Sequence, residues 1–177
     1  SDARLVDAEL RPLHQNLFEG LEVRPDELAG IHAGRAFEVL MHRNLVTGAT
    51  TMFRRELLDV ALPFPAQWVH DEWLAALAGA TGEVDVLEDC LIDYRQHGRN
   101  QIGVRRLDFE AKVRKALAPR GDKYTKRLAR AQVLLERLRA LGDRVPASVL
   151  RAARQKVAHQ RFRAGLPSAR WLRPLPI

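Results

Sequence analysis

A single cysteine, Cys90, in 177 residues leaves no partner for an internal disulfide. The fold therefore cannot lean on the covalent framework of small secreted domains, and nothing demands an oxidising compartment. Aromatic residues are scarce at 6%. They form no stacking pattern, and no nucleic-acid fold signature is present, which ranks nucleic acid last among the partners considered. No run approaches the roughly 20 apolar residues needed to cross a bilayer, and Ser1-Asp2-Ala3-Arg4 carries no signal-peptide pattern. These absences point to a soluble chain or one peripheral to the inner membrane face, with the reducing cytoplasm as default. A Gly-rich phosphate loop, an internal repeat and a low-complexity tract are also lacking, as is an initiator Met. With Ala3-Arg4-Leu5-Val6 already strand-like before the turn Asp7-Ala8-Glu9, the chain is expected to be a fragment.

What is present is a charge division. Residues 1–104 hold 9 Lys and Arg against 17 Asp and Glu, net −8, whereas residues 105–177 hold 20 against 5, net +15. The overall +7 hides two regions with different surroundings, and the basic one should seek an anionic partner. The length allows one globular domain with an appendage, and the boundary is placed at 104/105.

The first region mixes short strands, turns and helices. Pro25-Asp26-Glu27-Leu28 starts a helix with acids in its first turn, and apolar residues continue through Ile31, Ala36, Val39 and Leu40 to an end near His42-Arg43. Leu45 to Phe53 is β-branched and broken by Gly48, which suits a strand or loop approached closely by another backbone or a ligand. Arg54 to Val60 is a short helical turn, and Pro63-Phe64-Pro65 an extended connector. Asp71 is an N-cap for a helix through Trp73 and Leu77, with Gly79 and Gly82 as its stops. Val84 to Leu87 and Cys90 to Tyr94 are two short strands of weak alternation. From Asp108 the texture is helical. Asp122 caps a helix striped by Tyr124, Leu128, Ala131, Leu135 and Leu138 and ended by Gly142, and Pro146 opens another, with Leu150, Ala153 and Val157 inward and Gly165 as terminator. The ending from Leu166 to Ile177 is a loosely held tail.

Three segments carry the candidate chemistry: Thr47-Gly48-Ala49-Thr50; Phe64-Pro65 leading to His70-Asp71-Glu72-Trp73; and Tyr94-Arg95-Gln96-His97-Gly98 with Asn100 and Gly103. In this order and at these separations residues 1–104 resemble the C-terminal, acceptor-side half of bacterial family 2 glycosyltransferases of GT-A fold, particularly rhamnosyltransferase-like members. Those show a Gly-containing strand before Phe-Arg-Arg, a Pro-Phe-Pro connector, His-Asp before Trp-Leu, and a closing Tyr-Arg-Gln-His-Gly followed by Asn. The fold class implied is α/β (mixed α+β), half of a GT-A fold followed by a basic helical hairpin or bundle. The activity implied is inverting transfer of a sugar, such as rhamnose, from a nucleotide sugar to a glycan or lipid-linked acceptor.

In similar enzymes the carboxylate matching Asp71 is the general base that takes the proton of the acceptor hydroxyl; without the resemblance Asp71 is simply a helix cap. His70 either meets the acceptor and orients Asp71 or is a partly buried histidine on a backbone carbonyl. Thr47, Gly48, Glu72 and Trp73 fall on the acceptor side, although Glu72 also suits a plain first-turn acid and Trp73 a core residue. Tyr94, Arg95 and His97 fall on the diphosphate side, where positive charge, or His97 as a metal ligand, would stabilise the departing oxygens; otherwise they end an edge strand. The resemblance departs at the donor site. Similar enzymes hold Mg²⁺ or Mn²⁺ against the phosphates through an Asp-x-Asp motif. Here Asp7-Ala8-Glu9 is the nearest approximation, in a turn beyond the expected place, so donor binding by these residues alone is not expected. For the basic region the alternatives are a solvated surface, an anionic membrane face, a protein partner or nucleic acid bound through phosphates.

Overall fold

The strand expected at Ala3–Val6 forms because alternate small and branched residues can be buried against a helix. The computed structural model describes residues 1–97 and 122–166. The expectations on Gly98, Asn100, Gly103, the helical stretch from Asp108 to residue 121 and the tail beyond Leu166 lie outside them. The described residues form two units, one of residues 1–64 and 69–97, the other of residues 65–68 and 122–166. Together they make a mixed α and β protein with short strands and a helical hairpin.

In the first unit β1 (Asp2–Val6) is the central strand of a three-stranded sheet, antiparallel to β2 (Pro12–Asn16) and parallel to β3 (Cys90–Arg95). The register pairs Leu5 with Tyr94 and Val6 with Arg95. In β3 Cys90, Ile92 and Tyr94 are half-buried while Leu91, Asp93 and Arg95 face solvent, a cleaner alternation than the composition suggested. Ala3, Leu5 and Leu17 form a small core with Leu21, Ile92 and Tyr94. Neither β2 nor the short α1 (Leu17–Gly20) is expected from the sequence. The ladder shifts between Arg4 and Val6, and His14 in β2 takes a φ of 51°, so local signals there are weak. Conversely, residues 84–87 form no strand. That segment runs beside β1 only far enough for the Leu87 carbonyl to accept the Asp2 amide at 3.0 Å.

The single helix expected from Pro25 to His42 is two, α2 (Pro25–His32) and α3 (Ala36–His42). Gly34, at φ +74°, occupies the left-handed region open to glycine and reverses the chain between them. Ile31, Ala36, Leu40 and Leu45 pack with Ala75 in the second core of this unit. Leu45 to Phe53 is no strand but an irregular segment holding one 3₁₀ turn at Gly48–Thr50. A short α4 (Leu57–Ala61) follows.

The central helix is α5 (His70–Thr81), buried at Trp73, Leu74, Ala75, Ala76, Leu77 and Ala80. Burial on several sides marks a helix enclosed by others rather than one laid on a surface. Gly79 lies inside it and not at its end, because α3 crosses there: a Cβ on Gly79 would stand 3.1 Å from the Phe37 backbone nitrogen. Gly82 is the terminator, as expected.

In the second unit α6 (Lys123–Ala140) and α7 (Ala147–Gly165) are joined by a turn in which Gly142 has φ +57°. Arg163 near the end of α7 donates to the Tyr124 hydroxyl at the start of α6, 2.8 Å, so the helices run antiparallel. The seam is Ala131, Leu134, Leu135 and Leu138 against Val149, Ala153 and Val157. Tyr124, Leu128 and Leu150, expected on it, are half-buried at its margin. Asp122 holds the N-cap position without capping; its carboxylate takes the Lys126 ammonium at 2.7 Å instead. Trp68 donates its indole N–H to the Arg130 carbonyl at 3.1 Å, and the Arg130 guanidinium lies 4.4 Å from the indole centroid.

Candidate active site

Asp71 is the second residue of α5, and the N-cap is Val69, extended at φ −76° and ψ 140°. Asp71 is therefore not the cap expected, since Val69 takes that place and has no side-chain oxygen to offer the open amides of the first turn. The carboxylate serves nearby instead: Oδ1 accepts the Glu72 amide at 2.7 Å, and Oδ2 accepts the Gly48 amide at 3.0 Å across 23 residues of sequence. Asp71 is 7% exposed. Among the described residues these bonds fill two of the roughly four acceptor positions of an ionised carboxylate.

Gly48 opens the 3₁₀ turn that delivers this amide. A Cβ there would stand 2.9 Å from His70 Nε2 and 3.7 Å from Asp71 Oδ2. The group that comes close to this glycine is the His70 side chain, not the backbone or ligand expected. Thr47 shapes the turn, its carbonyl accepting the Thr50 amide and the hydroxyls of Thr50 and Thr51 at 3.0, 3.1 and 2.8 Å. Tertiary structure accordingly assembles Thr47, Gly48, His70 and Asp71 at one end of α5. His70 itself is exposed, not the partly buried histidine of the alternative. Glu72 is half-buried in the first turn.

Trp73 follows the core reading rather than the acceptor-side one. It is 0% exposed, and its indole N–H is committed to the Ala61 carbonyl at 2.8 Å, so no face of the ring is available to a sugar.

The third segment lies at the C-terminal end of β3, against which the Gly48–Thr50 turn packs. Tyr94 is half-buried in the sheet core, whereas Arg95 and His97 are exposed. The Gln96 amide continues the parallel ladder to the Val6 carbonyl at 2.8 Å. Among the described residues no hydrogen bond joins Asp71 to Tyr94, Arg95 or His97.

The Asp7-Ala8-Glu9 turn, the nearest approximation to an Asp-x-Asp motif, is tied up in contacts of its own. Asp7 accepts the amides of Glu9 and Arg11 at 2.9 and 2.8 Å, and the Arg11 guanidinium binds both Asp7 and Glu9. These contacts, the Arg11 amide foremost, hold the Asp7 carboxyl below the usual range. Among the described residues no group of three or more His, Cys, Asp or Glu converges as metal ligands would, His97 included.

Two buried carboxylates escaped the sequence reading. Asp2 accepts the amides of Ala3 and Phe18 at 2.7 and 3.0 Å, and Glu27 is gripped by Arg43. No local signal reveals the Asp2 contact with Phe18, whereas Glu27 has the spacing of an N3 acid whose carboxylate accepts the Arg24 amide. Comparison with family models, with curated proteins and with solved structures finds no match to this chain.

Proposed function

We propose that the chain is the acceptor-side part of an inverting glycosyltransferase, moving a sugar such as rhamnose from a nucleotide sugar to a glycan or lipid-linked acceptor. The observation that carries this is the approach of the Gly48 turn to His70-Asp71 at the start of α5. It joins two of the three segments on which the resemblance stands.

In this reading a hydroxyl of the acceptor donates to the Asp71 carboxylate. Asp71 takes its proton as the oxygen attacks the anomeric carbon, and the carbon–oxygen bond to the nucleoside diphosphate breaks with its electron pair leaving on the diphosphate. The two backbone amides hold the carboxylate in one orientation. His70, exposed beside it, positions the acceptor. Arg95 and His97 stand on the diphosphate side, where cationic or hydrogen-bonding groups stabilise the departing charge.

The test is transfer from a panel of nucleotide sugars by the protein as produced from its native gene. Asp71→Asn should lower turnover at least a thousandfold with donor affinity within about threefold, and His70→Ala should lower it less; the exposed His70 gives a variant that folds even if Asp71→Asn does not. Near-normal transfer by a folded Asp71→Asn protein removes the base. A second reading, a non-catalytic binding module, is favoured by the 7% exposure of Asp71 and by its two backbone hydrogen bonds. There the carboxylate is a strut between turn and helix, and neither variant affects sugar transfer because there is none.

A further inference from the structure

Helix α7 contains no Asp or Glu over its 19 residues and carries Arg151, Arg154, Lys156, Arg161 and Arg163. Its apolar face is already used: Val149, Ala153, Val157 and Gln160 are buried in the hairpin. Opposite that face Arg151, Arg154, Arg161 and Phe162 are exposed. At 100° per residue they fall within an arc of about 100°, and at 1.5 Å per residue they extend over roughly 16 Å. Phe162 is 63% exposed between two arginines. Among the described residues no carboxylate pairs with Arg151, Arg154 or Arg161. Burial first, and then the guanidiniums of Arg127 on α6, Arg163 on α7 and Arg130 on α6, hold the Lys156 ammonium below the usual lysine range. Like charges thus crowd this unit.

We propose that the exposed face of α7 docks on an anionic phospholipid surface, its arginines on lipid phosphates and Phe162 in the headgroup layer. Basic side chains are drawn to such a surface electrostatically, and an aromatic among them adds a contact that salt does not screen. A nucleic-acid strand is the less favoured occupant, because base stacking calls for several aromatics along the path, and this face has one. No helix among the described residues is long and apolar enough to cross a membrane, and docking requires none. The inference is independent of the transferase reading and is tested without an activity.

Vesicle co-sedimentation of the 177-residue chain uses phosphatidylcholine alone and a 3:1 mixture with phosphatidylglycerol. The mixed vesicles should bind at least tenfold more tightly, with the difference shrinking as salt rises, since surface charges are screened over about 8 Å at physiological ionic strength. Reversing Arg151, Arg154 and Arg161 to Glu should lose at least tenfold, and the milder triple change to Gln several-fold. Reversing Arg35, Arg54 and Arg55, exposed cations of the other unit, alters net charge equally and should cost less than threefold. Phe162→Ser should weaken the binding left at high salt. Equal binding to neutral vesicles, equal losses from the two reversed sets, or displacement from mixed vesicles by an equimolar DNA duplex would overturn the proposal.

Discussion

Arg43 and Glu27, on either side of the α2–α3 pair, meet at two points: Nε and Nη2 of the guanidinium bind Oε1 and Oε2 of the carboxylate at 2.8 and 2.6 Å. The same guanidinium donates to the carbonyls of Leu21 and Glu22 at 2.6 and 2.7 Å, where Glu22 takes φ +52°. One side chain therefore fastens the end of α3, the start of α2 and the strained turn before it.

Glu27 is 5% exposed, so removing its partner leaves a charge in packing. Arg43→Ala should cost about 2–3 kcal/mol by urea denaturation, below the full value of a deeply buried pair because Arg43 keeps one edge in water. Arg43→Lys should recover less than half, because an ammonium cannot span two carboxylate oxygens and two carbonyls. A loss under about 0.5 kcal/mol in Arg43→Ala would show that the contact is decoration.

The hydrogen bond from Arg43 chiefly holds the Glu27 carboxyl at about 2, against an ordinary 4.5. A depressed acid favours the folded state when ionised, so this contribution is whole above pH 4.5 and is lost as pH falls toward 2. Stability measured from pH 7 to pH 2 should decline through that window, and Glu27→Gln should flatten the decline while lowering the neutral plateau. The remaining slope belongs to other acids such as half-buried Asp7 and exposed Asp85 and Asp122, also lowered by their hydrogen bonds. An unchanged slope in Glu27→Gln would assign the effect elsewhere.

Gly48→Ala places a methyl 2.9 Å from His70 Nε2. The obstructing atom is the tip of an exposed side chain, so the imidazole should swing aside at a stability cost below about 1 kcal/mol. A shifted His70 ring resonance in NMR, with most other resonances unmoved, is the expected signature; under the transferase reading turnover also drops. The additional change His70→Ala should erase the cost, and failure of this coupling in a double-mutant cycle would place the ring elsewhere.

Gly79→Ala presents the opposite case, because the group obstructed is the Phe37 backbone at 3.1–3.2 Å. Alanine gains about 1 kcal/mol of helix propensity over glycine, yet the two helices must separate, which costs about 1–3 kcal/mol. Net destabilisation by thermal melting is expected; a stabilised variant would mean that α3 can move freely.

Much of this protein was legible without coordinates. Proline and glycine placement located the start of α2 and the end of α5, and the spacing of Leu135, Leu138, Ala153 and Val157 gave the helical hairpin, because these signals are local. The misses have a common physical origin. Gly79 looks like a helix stop unless the α3 backbone is known to lie against it, and β2 carries a left-handed His14 in a pairing whose register shifts. Asp71 had the composition of a cap, but whether Val69 or Asp71 takes that position depends on how the connector after Pro65 enters the helix.

The sequence by itself determined the charge division, the mixed α and β class and the acid-free α7, since each follows from residue type and short-range period. Tertiary structure alone decided that the His70 imidazole lies against Gly48 and that the Asp71 carboxylate is bound by an amide 23 positions away. Such contacts depend on where the whole chain places two distant backbones, and no window of neighbouring residues encodes that distance.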